Sequence, residues 1–236
     1  MELFEFNDTF CCSLWNESKY NTSKQPNLLG TVFNDSIIIN CTFIAKNNGK
    51  KQYIFAKPGL VNSGVYIDNN KLKCVLFTAN PESGNFSDDM HIEEFDFEYD
   101  KEYKVIYQIK NVEGITMFMV SVNGEKRMVK CKYKTCDYAH VPLWIGVMNP
   151  FLKDTNERYY FNGTISEFIV SNNDGIITDL DFTNVNRFKV WDKSGNGNFA
   201  YIEEFMNKTI QIKLNKLLAG NSLETADITN IKQTLI

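Results

Sequence analysis

Three carboxylates stand at alternate positions in Glu94-Phe95-Asp96-Phe97-Glu98, with two phenylalanines between them. In an extended strand that spacing puts the acids on one face and the rings on the other. A retaining glycosidase needs two carboxyl groups about 5–5.5 Å apart, one as nucleophile and one as acid/base. The other reading is a solvated acidic strand face. No tryptophan lies nearby, where a sugar cleft would want one, and this favours the solvated face. Hydrolysis ranks third among the functions considered.

A second oxygen-rich run is Asp192-Lys193-Ser194-Gly195-Asn196-Gly197-Asn198. Its Asp192, Ser194, Asn196 and Asn198 alternate as the ligands of a calcium loop do. The closing bidentate glutamate is missing, and a Gly-rich turn that tolerates positive φ has the same composition. Calcium is the only cofactor the sequence raises. The loop Asp154-Thr155-Asn156-Glu157-Arg158-Tyr159-Tyr160 mixes polar groups for hydroxyls with aromatic faces for sugars. Asp154, Asn156, Arg158, Tyr159 and Tyr160 are therefore the expected ligand-binding residues. The alternative is that Tyr159 or Tyr160 packs on the domain itself. Trp15 and Trp191 are expected in the core. His91 and His140 have no Ser or Cys placed suggestively beside them, which argues against a catalytic triad; both are expected at the surface or an edge.

The chain has 236 residues, 43% of them hydrophobic and 14% aromatic, which suits one large all-β domain with an appendage. Net charge is −4, and Lys126, Arg127, Lys130, Lys132 and Lys134 form the only basic cluster, read as a solvated strand face. Nucleic acid is excluded as a main partner. No stretch approaches the roughly 18 apolar residues of a membrane span, and Met1-Glu2-Leu3-Phe4-Glu5 lacks the basic start and apolar run of a secretory signal. If Met1 is the true start, export by that route is not expected. The six cysteines are then expected as free thiols. Cys41 falls in phase with Ile37, Ile39 and Phe43, so it reads as a small hydrophobe. Cys131 and Cys136 are the best metal or disulfide candidates, but no second Cys/His pair lies near.

These residues must be held by strands. Period-two alternation recurs from about residue 30 to 172: Ile37 to Phe43, Tyr103 to Lys110, Gly114 to Asn123, Val141 to Met148, and Tyr159 to Val170. Turn signals separate them, among them Asn48-Gly49, Asn69-Asn70 and Asn123-Gly124. An antiparallel β-sandwich or barrel follows. Residues 1–203 are assigned to this domain. Residues 204–236 form a C-terminal extension, where Ser222-Leu223-Glu224-Thr225 opens a short helix that either docks on its own domain or joins a neighbouring subunit. There is also an internal echo. Phe4-Glu5-Phe6-Asn7 leads to Trp15, and Leu180-Asp181-Phe182-Thr183 leads to Trp191 in the same register. The pair reads as two similar strand-and-turn units, adjacent in space.

The ordered set Ile37 to Phe43, the hairpin Glu102 to Gly124, Pro142-Leu143-Trp144-Ile145-Gly146, and Tyr160-Phe161-Asn162-Gly163-Thr164-Ile165-Ser166-Glu167-Phe168 resembles the laminin G-like, concanavalin A-like lectin superfamily. Coverage runs from about residue 30 to 200. The turn Asp192 to Asn198 departs from the family by coming late. The resemblance implies an all-β, antiparallel two-sheet jelly roll that binds glycans or a cell-surface receptor without catalysis. Retaining glucanases of the superfamily carry a Glu-x-Asp-x-Glu strand, but dozens of residues before the long hairpin. Here Tyr103 begins that hairpin almost at once. By analogy of fold, the chain is expected on a virus particle, such as the tail, fibre or decoration of a bacterial virus, as a homo-oligomer among other virion subunits. It would be made in the host cytoplasm; a cytoplasmic protein is the alternative. A structural decoration or assembly protein without glycan binding is the second function considered.

Overall fold

The computed structural model describes residues 3–7, 10–16, 36–57, 63–78, 89–133, 135, 143–148, 159–185 and 189–204. Their regular structure is entirely β. In chain order the strands are β1 (Glu5–Phe6), β2 (Phe10–Asn16), β3 (Ser36–Ala45), β4 (Gln52–Lys57), β5 (Ser63–Asp68), β6 (Lys71–Thr78), β7 (Asp89–Asp96) and β8 (Glu102–Val112). There follow β9 (Ile115–Val122), β10 (Glu125–Cys131), β11 (Trp144–Ile145), β12 (Gly163–Asn172), β13 (Gly175–Val185), β14 (Lys189–Asp192) and β15 (Asn198–Glu204).

Where the sequence alternates, the strands follow it. β3 buries Ile37, Ile39, Cys41, Phe43 and Ala45, and β8 buries Tyr103, Val105, Tyr107 and Ile109. The β8–β9 connection is tight because Glu113 and Gly114 take φ of 49° and 84°. Asn123 and Gly124 close β9 onto β10 at 49° and 89°, the doubly left-handed geometry of a two-residue hairpin turn. Two expected strands are shorter than the alternation suggests. Among the described residues of Val141 to Met148, only Trp144–Ile145 is strand, bonded to β2 on one side and β4 on the other. Tyr159 to Val170 becomes strand only at Gly163, where β12 runs so close to β3 that a Cβ would stand 2.1 Å from the Ile44 carbonyl oxygen at a φ of +145°. The residues before it are tied in singly: Asn162 N–H donates to Gln52 Oε1 at 2.9 Å, and Phe161 N–H to the Gly146 carbonyl.

The strands join in one antiparallel path, β10-β9-β8-β3-β12-β13-β14-β15-β2-β11-β4-β5-β6-β7, with β1 added to β12. The path folds back on itself into two layers. Phe55 of β4 meets Tyr107 of β8 and Phe168 of β12, each edge-on at 5.6 Å between ring centres. The buried Tyr107 hydroxyl crosses the layers and donates to the Val75 carbonyl of β6 at 2.8 Å. That bond matters because a phenol buried without a partner would cost about 1–3 kcal/mol. Five cysteines, Cys11, Cys12, Cys41, Cys74 and Cys131, are free and buried; Cys136 lies outside the described residues.

The two ends of the path, β10 and β7, share no ladder. Arg127 of β10 joins them instead. Its guanidinium lies 4.2 Å from the centre of the Phe95 ring and donates to the Glu94 carbonyl at 2.7 Å. Glu93 and Glu125 carboxylates lie at 3.6 and 2.8 Å. A side chain thus occupies one edge hydrogen-bonding group that a missing strand pair would have used. The two echoing units do lie side by side: Phe4 N–H donates to the Phe182 carbonyl, and the Phe6 and Phe182 rings are 5.7 Å apart.

Candidate functional site

The hairpin of β14 and β15 has an inward and an outward set. Val190, Ala200 and Ile202 are buried. Lys189, Trp191, Phe199 and Tyr201 occupy the alternate, outward positions, with Lys189 opposite Tyr201 and Trp191 opposite Phe199. Trp191 is 42% exposed and Tyr201 39%. Phe199 is covered, with the Lys189 ammonium 4.1 Å from its ring centre and 5.7 Å from that of Trp191.

Trp191 was expected in the core, and it is not there. Asp192 gives the physical reason. Its carboxylate accepts from the backbone N–H of Asp179 at 2.7 Å and of Ser194 at 3.0 Å, and from the Ser194 hydroxyl at 2.6 Å. Asp192 must therefore turn toward β13, and with Val190 in the core the alternation sends Trp191 out. On β13 the residue facing Trp191 is Asp181. The Thr183 hydroxyl donates to that carboxylate at 2.6 Å and the Thr183 N–H at 3.1 Å. Those bonds hold Asp181 ionised below the usual carboxylate range. Lys193 and Asp179 face each other at 3.6 Å. The result is a strip of indole and phenol bordered by ammonium and carboxylate groups, carried on strands except for Lys193, which opens the turn after β14.

The turn after Trp191 gathers all four residues considered for calcium. Besides the Asp192 and Ser194 bonds, the Asn196 amide donates to the carbonyls of Ile176 and Ile177 at 2.8 and 3.0 Å, and the Asn198 amide to Ile177 at 2.6 Å. These contacts weld the 192–198 turn to the start of β13. Beside the weld lies an open cleft of about 270 Å³ whose lining includes Asn172, Asp174, Ile176 and Asn196. Ile176 is exposed there, so the cleft offers Ile176 and the half-buried Ile177 among amides and a carboxylate. Among the described residues no group of three or more His, Cys, Asp or Glu is placed to hold a metal.

Of the expected ligand-binding residues, only Tyr159 and Tyr160 are among the described ones. Asp154, Asn156 and Arg158 lie outside the described residues. Tyr160 is buried. Tyr159 packs 6.3 Å from the Tyr53 ring. The acidic row is a solvated face: Glu94, Asp96 and Glu98 are exposed and meet Lys73, Lys71 and Lys101 at 3.1, 2.5 and 2.6 Å. Phe95 and Phe97 between them are in the core. His91, on the edge strand β7, bonds Asp89 at 2.9 Å; His140 is outside the described residues. Cys131 is buried, and its thiol is pushed up to about 11, by burial first and by Asp89 second. It is therefore a protonated, packed thiol at neutral pH. Nothing in the sequence but alternation marked the β14–β15 strip. Small inward residues, Val190 and Ala200, between outward aromatic ones were the available signal.

No family profile matches the chain, and no curated protein matches it. Solved structures do. Domains LG4-5 of the mouse laminin alpha1 chain superpose with a TM-score of 0.50 at 12% identity, over 84% of this chain and 46% of that one. A candidate carbohydrate binding protein from Bacteroides ovatus superposes with a TM-score of 0.51 at 11% identity, over 88% and 61%. This chain thus spans between about half and three fifths of the length of these two structures. At such identities the likeness is one of fold.

Proposed function

We propose that this chain, which has the concanavalin-like jelly-roll fold, is a non-catalytic carbohydrate-binding module, and that the outer face of β14 and β15 is where a glycan lies. The observation that carries it is Trp191, an indole 42% exposed on a rigid strand beside Tyr201, at a position where it adds nothing to the core. A sugar ring has apolar C–H faces and a polar rim. An exposed aromatic face takes the first, and the neighbouring Lys189, Asp181 and Lys193 suit the second. Strands fix the rings in place, so little ordering entropy is lost on binding. The Bacteroides ovatus likeness is in accord with this reading. Catalysis finds less support, because the acidic row faces solvent against lysines rather than a cleft.

The setting we propose is attachment to a host surface from a virus particle, with residues 204–236 as the assembly segment of a homo-oligomer. Five free, buried thiols suit a chain that folds in a reducing compartment. The test is a glycan array probed with the wild-type chain and with Trp191→Ala. The proposal expects a defined set of glycans bound by the wild type and lost by at least tenfold in the variant. An array on which nothing binds, or on which both proteins bind alike, would refute it.

A further inference from the structure

A second group of aromatic rings lies on β4 and β5, on the face away from the main core cluster and far along the sheet from Trp191. The ladder places Tyr53 opposite Tyr66, Tyr66 opposite Lys73, and Lys73 opposite Glu94, in one row across four strands. The next residues along these strands, Ile54, Ile67, Leu72 and Phe95, are core, so the row lies on the other face, where Tyr53 is covered and Tyr66 is half-buried. Tyr53 and Tyr66 stack with ring centres 4.8 Å apart, and Tyr159 stands 6.3 Å from Tyr53. The Lys51 ammonium sits among all three, 3.9 Å from the ring centre of Tyr66, 4.9 Å from Tyr53 and 5.4 Å from Tyr159.

The charges in this row are unequally served. Lys73 takes both acids, Asp68 at 3.4 Å and Glu94 at 3.1 Å. Lys51 has no carboxylate within 4 Å and no side-chain hydrogen bond among the described residues; ring faces alone hold it. Burial works against its charge, with Asp68 opposing that effect and Lys73 adding to it. Three N–H donors are thus held between aromatic rings with no acceptor among the described residues. A ligand that lies on the rings and brings oxygen acceptors completes the arrangement. Among the described residues, Lys51 and Lys73 are balanced by Asp68 and Glu94, so these groups leave no surplus positive charge with which to hold a polyanion.

From this we infer that Lys51, Tyr66 and Tyr159 form a second carbohydrate site, which takes a neutral sugar residue on the tyrosine faces while Lys51 donates to its hydroxyl or ring oxygens. The inference rests on the proposal that the chain binds glycans. The two sites lie on different strands: β14 and β5 are five steps apart along the ladder, on the order of 24 Å measured along the sheet at the usual strand spacing. No single sugar residue bridges them.

The test is stoichiometry. Lactose, cellobiose, maltose and mannobiose, together with any neutral oligosaccharide bound on the array, are titrated into the isotope-labelled full chain and followed by NMR shift mapping, with a glucuronate-bearing oligosaccharide alongside. The wild type is expected to show two separate sets of shifts with one sugar, one around Trp191 and one around Tyr66. Trp191→Ala should lose only the first set, Lys51→Ala only the second, and the double variant both. Tyr66→Ala is the companion to Lys51→Ala, and an unchanged spectrum elsewhere shows that each variant is folded. Retention of the second set in both Lys51→Ala and Tyr66→Ala would overturn the inference while leaving the Trp191 site standing. Preference of the second site for the glucuronate ligand by tenfold or more would overturn its neutral character. No shift with any sugar in the wild type would bring down the glycan proposal itself, and the inference with it.

Discussion

Two hairpins of this chain use aromatic residues in opposite ways. In β8–β9 the rings of Tyr107 and Phe118 point inward, 5.1 Å apart, and the Tyr107 hydroxyl reaches across to the opposite layer. In β14–β15 the inward positions go to Val190, Ala200 and Ile202, and Trp191, Phe199 and Tyr201 point out. Both hairpins are antiparallel, alternating and rich in rings. Composition does not separate them; strand parity does. The first hairpin spends its rings on the core, and the second leaves Trp191 and Tyr201 exposed.

That contrast can be tested by truncation. Phe118→Ala opens a void in the core and should cost about 3–5 kcal/mol, read as a lower urea midpoint at constant slope. A loss below about 1 kcal/mol would mean that the hairpin is not the packing element described. A second large effect should come from pH. Burial raises the thiols of Cys41, Cys74 and Cys131, the last to about 11, and also the Tyr107 phenol. An acid whose folded pKa is raised keeps its proton in the native state while the unfolded chain loses it. The stability from these groups is therefore whole below about pH 9, and that from Cys131 drains away as pH rises from about 9 toward 11. Urea midpoints at pH 7.5 and about pH 10.5 check this, and an unchanged midpoint would contradict the burial of these thiols.

Smaller effects mark the edges of the sheet and its outer face. Arg127→Ala removes the link between β10 and β7 and should cost about 1 kcal/mol, since the group is partly exposed and its ion pairs are weakened by solvent. Amide exchange should quicken in β7 and β10 first. Uniform quickening across the sheet would count against a local link. Trp191→Ala should change stability least, within about 0.5 kcal/mol as for other surface positions, while glycan binding falls at least tenfold. If that variant instead unfolds as readily as Phe118→Ala, the two hairpins are alike and the contrast is wrong.

Much of the frame was legible because one face of each central strand is wet. β3, β8 and β9 alternate, and Asn123-Gly124 announces its turn. β4 was not legible, because all six residues from Gln52 to Lys57 are buried and nothing alternates. β5 beside it and β6 beyond are mostly buried as well. The acidic row Glu94-Asp96-Glu98 was correctly separable as a solvated face, since the intervening phenylalanines needed a core. The Trp191 strip was missed for a different reason. Tryptophan is most often buried, and only the contacts that turn Asp192 toward β13 reveal which way its neighbour must point. The Asp192 to Asn198 run was seen as oxygen-rich, but its bonds to Ile176 and Ile177 are long-range and leave no local signature.

The central claim is that Trp191, and not a buried tryptophan, meets the ligand. The chain has three tryptophans, and Trp144 is 1% exposed. Indole N–H signals of the labelled protein, assigned by single substitution and followed while the best array glycan is added, read this directly. The account predicts that the Trp191 signal moves saturably, that the Trp144 signal stays, and that Trp191→Ala abolishes binding without unfolding the chain. Saturable glycan binding with the Trp191 signal unmoved would contradict it.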